Sequence, residues 1–255
     1  MHPTLLIIFG FTFIFFMTVL GAGVVFLLKK TQNKKLSNFI NGITSGIMMS
    51  ASIWSLLIPA LETNTNSIFL RLLPAILGLM LGGAFILALD KLIPTKNSLK
   101  SENKRFLKLF IAITLHNIPE GLSVGFVFGI AALNGTNAML ISAVALAVGI
   151  GLQNTPEGAA VALACKANGG SRKKAFFMGA ASGAVEPLFA TFGFFMASSL
   201  SSIQPWLLAF SAGAMIYVVC EEIIPDCKNE ESPHFTSCGF MLGFIIMMVL
   251  DVCLG

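Results

Sequence analysis

Charge is scarce in this chain: 11% of its 255 residues are Asp, Glu, Lys or Arg, less than half of the roughly 25% found in a soluble globular domain. An ordinary soluble protein is thereby excluded. Tyrosine (1), tryptophan (2) and histidine (3) are also scarce. The five cysteines, Cys165, Cys220, Cys227, Cys238 and Cys253, show no CxxC or CxxxC spacing, so neither a zinc cage nor a disulfide framework is indicated and most are expected to be reduced. No GxxxxGK[ST] stretch occurs, so ATP hydrolysis is not indicated as a driving force. The first apolar run has no basic group ahead of it except the N-terminus and His2; it is too long for a signal-peptide core and is expected to be retained as a span.

What is present is apolar. Hydrophobic residues make up 56% of the chain, with 23 Phe and 24 Gly, in runs of about 20 residues between short polar stretches, the pattern of transmembrane helices. Eight spans read near 4–28, 37–60, 68–92, 106–130, 138–164, 175–200, 205–225 and 235–254. Eight spans of about 20 residues already occupy about 160 residues, which leaves no room for a soluble catalytic or nucleotide-binding domain. The reading is an all-α integral membrane protein, a single domain over residues 1–255 held in a lipid bilayer.

The net charge of +4 says less about partners than the placement of the charges, and nucleic acid is not an expected one. All but one of the 16 basic residues lie after the first span (Lys29, Lys30, Lys34, Lys35), around the third loop (Lys91 to Lys108), in the fifth (Lys166, Arg172, Lys173, Lys174) or in the seventh (Lys228); only Arg71 lies opposite. The positive-inside rule then puts the odd-numbered loops in the cytoplasm and both termini outside.

The fourth span contains HNIPEG (His116–Gly121) and the fifth QNTPEG (Gln153–Gly158), nearly a copy. At 3.6 residues per turn, His116, Asn117 and Glu120 share one helix face, as do Gln153, Asn154 and Glu157. Each proline removes a backbone donor, frees the carbonyl of Leu115 or Leu152, and is expected to kink its helix beside the acid. A hairpin turning at ALNGTN brings His116 and Gln153 to about the same depth, with Glu120 and Glu157 about 6 Å, one turn, to either side; the kinks are expected to close that gap. The sixth span adds Glu186, again followed by proline.

An ionisable residue at mid-bilayer costs about 2.5–3.5 kcal/mol. Three central carboxylates without a central Lys or Arg make a net negative cavity, which a purely structural polar network does not need. Imidazole, carboxylate and amide oxygen together suit Zn²⁺, Fe²⁺, Mn²⁺ or Cd²⁺ better than Na⁺ or Ca²⁺. Met48 and Met49 read as packing residues. Glu62 and Asp251 read as hydrated groups near the outer boundary, Asp90 and Lys91 as an ion pair at the inner one, and Asp226, Glu230, Glu231 and His234 as a solvated face.

The paired HNxPEG and QNxPEG on consecutive helices resemble the ZIP (Zrt/Irt-like protein) metal transporters, in particular their GufA-like bacterial branch. The eight-helix layout and SIWSLLIPALE in the second span extend the likeness over the chain. The resemblance implies a binuclear centre inside the membrane: one ion on His116, Glu120, Gln153 and Glu157, a second on Asn117, Glu120, Asn154, Glu157 and Glu186, with Glu120 and Glu157 bridging. It implies Glu221 and Glu222 of CEEIIPD as inner exit ligands, two three-helix groups around the fourth and fifth spans, a homodimer, and a bundle of spans 1, 4, 5 and 6 sliding against spans 2, 3, 7 and 8.

The expected function is uptake of a divalent transition metal, zinc foremost, across the cell (plasma or inner) membrane into the cytoplasm. The metal is cargo, no cofactor is expected, and the protein is not an enzyme. A Ca²⁺/Na⁺-type exchanger is the alternative within the same class. An intramembrane metallohydrolase is the alternative from another, disfavoured because HExxH is absent and only one histidine lies in the membrane core.

Overall fold

The computed structural model describes residues 2–27, 34–62, 67–92, 101–135, 137–200, 202–224 and 233–254, and among them the chain is helical without a strand. The first span is α1 (Pro3–Ala22) followed by the short α2 (Val24–Leu27). The second runs through α3 (Lys34–Ala51), a π-helical segment (Ser52–Leu57) and α4 (Ile58–Leu61). The third is α5 (Ile68–Leu92). The fourth and fifth are the long α6 (Ser101–Asn134) and α7 (Asn137–Ala167). The sixth is interrupted at Ala184, giving α8 (Arg172–Gly183) and α9 (Val185–Phe195), with α10 (Ala197–Leu200) behind it. Then come α11 (Gln204–Val218), continued by a second π segment (Val219–Ile223), and α12 (Pro233–Leu254).

Seven helices among the described residues are long and apolar enough to cross a membrane. The remaining expected span, 205–225, is helical from Gln204 to Ile223 but is not among the seven; α11 proper has 15 residues, and its continuation carries Glu221 and Glu222. Each π segment ends two residues before a proline in the sequence, Pro59 and Pro225. A proline has no N–H to give, and its ring crowds the carbonyl four residues back. A widened turn just ahead of it relieves that crowding.

The helices are joined in four close pairs: α3 with α12, α5 with α11, α1 with α7, and α6 with α9. Each pair has a glycine seam where one backbone touches the other. Gly46 faces the Phe240 carbonyl and Gly243 that of Ile43; Gly82 faces Phe210 and Gly213 faces Leu79; Gly21 faces Thr155; Gly125 faces Ala190. In a bilayer, where lipid tails are as apolar as leucine, close backbone approach of this kind supplies much of the helix association. Two larger groups result, α1, α6, α7, α8 and α9 on one side and α3, α5, α11 and α12 on the other, joined mainly where α11 meets α6 and α3 meets α7. The first three spans do not form a unit of their own: each pairs with a later span.

Gly135, with φ of +66°, makes the turn between α6 and α7, a conformation that a side chain would disfavour. The exterior is apolar, with Phe16, Leu20, Ile68, Met80, Phe195 and Val252 among its exposed side chains, as lipid contact requires. Met48 is fully buried, with Met49 packed against the same cluster, consistent with a packing role. Cys165 is buried, Cys220, Cys238 and Cys253 are exposed, and all four are free thiols; Cys227 lies outside the described residues.

Candidate metal centre

The two proline motifs lie in the middle of α6 and α7, and all six of their predicted ligands, His116, Asn117, Glu120, Gln153, Asn154 and Glu157, are fully buried. So is Glu186, in the first turn of α9. The motif glycines account for how the helices meet. Gly121, next to Glu120, lies against the backbone of Glu186, and Gly158, next to Glu157, lies against the backbone of Thr18. A Cβ at either position would overlap a carbonyl, so α9 reaches the first motif and α1 the second through the absence of a side chain.

Across the hairpin the first position of one motif meets the fifth of the other. His116 Nε2 lies 3.0 Å from Glu157 Oε2, and Gln153 Nε2 donates to Glu120 Oε1 at 2.7 Å. The sequence reading pairs His116 with Gln153 and leaves the acids a turn away; the structure pairs each with the opposite acid instead. Its turn is centred past Gly135, between the end of α6 at Asn134 and the start of α7 at Asn137, later than the midpoint the reading assumes. Both helices run through their prolines without a break in helical structure.

The ligand atoms of His116, Glu120 and Glu157 all fall within 4.8 Å of one another, close enough to hold one ion. Glu186 is not in that group. Its carboxylate is held by three donors: Thr18 Oγ1 to Oε1 at 3.1 Å, Asn117 Nδ2 to Oε1 at 3.2 Å, and the Asn154 amide to Oε2. The asparagines are anchored in turn, Asn117 to the Ser182 carbonyl at 3.0 Å and Asn154 to the Ile14 carbonyl at 3.3 Å. The seven predicted residues therefore form two adjoining parts, a His/Glu/Gln/Glu cluster and an Asn/Asn/Glu cluster.

Several buried oxygens in these clusters have no hydrogen-bond partner: Asn117 Oδ1, Glu120 Oε2, Gln153 Oε1, Asn154 Oδ1 and Glu157 Oε1. Every one of them is an acceptor. Among the described residues no Lys or Arg side chain is buried to balance the three carboxylates. Uncompensated buried acceptors cost about 1–3 kcal/mol each, more when charged, and a cation would satisfy them together. The Ser211 hydroxyl of α11, 3.5 Å from the His116 carbonyl, touches the same region from the other helix group.

The other candidate residues fall elsewhere. Glu221 is exposed on the second π segment, and the side chains of Glu222 and Asp90 lie outside the described residues, as do Asp226, Glu230 and Glu231. His234 and Lys91 are exposed, as is Glu62. Asp251, read as simply hydrated, is half-buried and accepts a 2.6 Å bond from Ser55, beside a cavity of about 170 Å³ lined by Trp54, Ser142 and Gly149.

Thr18 is the site residue that sequence reasoning misses. The first span offers two mid-helix threonines, and nothing in their spacing distinguishes them. The structure does: Thr12 is near the lipid face and donates back to the Ile8 carbonyl of its own helix, whereas Thr18 is fully buried against Glu186.

A family model described as ZIP Zinc transporter matches residues 94–251. Among curated proteins, the zinc transporter ZIP11 of Homo sapiens is 33% identical, covering 96% of this chain and 96% of its own length. The zinc transporter GufA of Myxococcus xanthus is 35% identical over 93% of this chain and 94% of its own. The zinc transporter ZIPB of Bordetella bronchiseptica is 32% identical over 93% and 78%.

Proposed function

We propose, for a chain that belongs to the ZIP zinc transporter family and transports divalent metal ions as that family does, that the ion is carried through the buried centre on α6, α7 and α9. His116, Glu120, Gln153 and Glu157 take the first ion; Asn117, Asn154 and Glu186 offer an adjoining position that shares Glu120 and Glu157. One observation carries the reading: the buried oxygens left without partners at the centre are all acceptors.

The imidazole of His116 directs preference toward Zn²⁺ and Cd²⁺ over Ca²⁺, which is content with oxygen alone. With basic residues concentrated in the odd-numbered loops, the termini face outward; the direction we propose is uptake toward the cytoplasm, across the plasma or inner membrane. Glu221, with Glu222 beside it in sequence, receives the ion on the inner side. The exposed helix faces leave room for a homodimer.

The test is flux. Purified protein in liposomes is expected to move Zn²⁺ and Cd²⁺ and not Ca²⁺, and Glu120→Gln is expected to stop that movement. Equal movement of Ca²⁺, or undiminished flux in the variant, would overturn the assignment.

A further inference from the structure

We infer that Thr18 is the α1 counterpart of Glu186, a positioning residue whose hydroxyl donates to the Glu186 carboxylate, competes there with a cation, and turns away when a cation takes that carboxylate. The inference rests on the cation-site reading above and adds a residue and a fourth helix to it.

The equivalence comes from the duplicated motif. In each copy the glycine after the acid is the point where a further helix touches: Gly121 meets the Glu186 backbone and Gly158 meets the Thr18 backbone. Two similar motifs thus each receive one residue from a close-packed neighbour, an acid from α9 and a hydroxyl from α1. These two residues then meet each other, Thr18 Oγ1 lying 3.1 Å from Glu186 Oε1. Thr18 fits at this place because Gly183 has no Cβ: the threonine side chain fills the space that one would take.

The hydroxyl has one hydrogen and two acceptors within reach, Glu186 Oε1 at 3.1 Å and the Ile14 carbonyl at 3.3 Å. A hydroxyl rotor moves between such partners at little cost. Directed to Glu186, it occupies a lone pair that a cation would need, and together with Asn117 and Asn154 it satisfies the carboxylate without metal. Directed to Ile14, it stays satisfied, releases that lone pair and turns its own oxygen toward the carboxylate side. Removing the hydroxyl withdraws a donor that competes with the cation for the carboxylate and therefore favours the loaded form.

The experiment is zinc titration calorimetry on the full purified chain, with flux measured in parallel, for wild type, Thr18→Val, Thr18→Ser, Glu186→Gln and the Thr18→Val/Glu186→Gln double variant. Thr18→Val keeps the volume and is expected to tighten the Glu186-dependent binding step about ten-fold, lowering KM and maximal flux together because release slows. Thr18→Ser is expected to match wild type, and the Thr18→Val effect is expected to vanish in the Glu186→Gln background. Thr18→Ala, which opens space instead of preserving it, must shift affinity in the same direction.

Wild-type affinity in Thr18→Val, tightening in Thr18→Ser equal to that in Thr18→Val, or an unchanged Thr18→Val effect without Glu186 would each overturn the inference. Those outcomes, with zinc still bound by wild type and lost in Glu120→Gln, leave the cation site standing. Absence of zinc binding in every chain would instead overturn the site, and the role of Thr18 with it.

Discussion

His116 lies 3.0 Å from Glu157 on the opposite helix, so the only histidine of the centre is tied across the hairpin, with Glu120 one turn along its own helix also within reach. The imidazole is thereby the one nitrogen ligand available, set between two carboxylates. His116→Ala is expected to weaken Zn²⁺ and Cd²⁺ transport by about ten-fold and Mn²⁺ transport by less, since Mn²⁺ accepts an all-oxygen shell more readily. Competitive flux assays measure this, and equal losses for all three metals would count against selection by imidazole.

Glu120 and Glu157 belong to the three-residue group that can hold one ion, and Glu186 adjoins it. Glu120→Gln and Glu157→Gln should each abolish flux and strip bound metal. Glu186→Gln should lose the second equivalent, keep the first and retain part of the flux. A polar network without metal behaves otherwise: the exchange keeps shape and removes a buried charge, so stability should hold or rise with no metal dependence. Elemental analysis of the three variants decides between them, and wild-type metal content in Glu120→Gln and Glu157→Gln would refute the centre.

Orientation can be read with a membrane-impermeant thiol reagent on single-cysteine proteins. Cys253, exposed near the end of α12, should label from outside; a cysteine replacing the exposed Lys174 at the start of α8 should label only after the membrane is opened. Labelling of both from one side would sink the topology drawn from the basic residues.

Gly121 and Gly158 are each pressed against a carbonyl of the neighbouring helix. Alanine at either site should lower folded yield and flux sharply, at a cost of about 1–3 kcal/mol or more for overpacking. Alanine at Gly149 would meet only a side-chain oxygen of Asp251 at 3.8 Å and should be tolerated. Detergent-solubilised yield and monodispersity report the difference, and a well-behaved Gly121→Ala would argue against the seam.

The centre was legible in the sequence because its chemistry is written twice, on two helices, with proline and glycine repeated beside each acid. Residues that act singly were not legible. Thr18 carries no local mark that separates it from Thr12, and its role depends on a helix 168 positions away in sequence. Asp251 near the chain end looks like any hydrated acid until Ser55, on the second span, is placed beside it. The cross-helix pairing of the two motifs is not legible in the sequence, because a one- or two-residue change in where a hairpin turns moves every such contact. The seventh loop's acids gave expectations that fall on residues outside those described.

The glycine seams have a dynamic meaning as well as a packing one. Backbones in direct contact cannot slide without lifting apart, so each seamed pair behaves as a single stiff body. His116, Asn117, Glu120 and Glu186 ride on one such body, α6 with α9; Thr18, Gln153, Asn154 and Glu157 ride on another, α1 with α7; and the two are laced together by the hydrogen bonds of the centre itself. At the boundary with α3 and α11 no described glycine meets a backbone of the other group, and the Ser211 hydroxyl reaches the His116 carbonyl instead. A cation taken up here would find its ligands divided between two seamed pairs that the centre's own hydrogen bonds join.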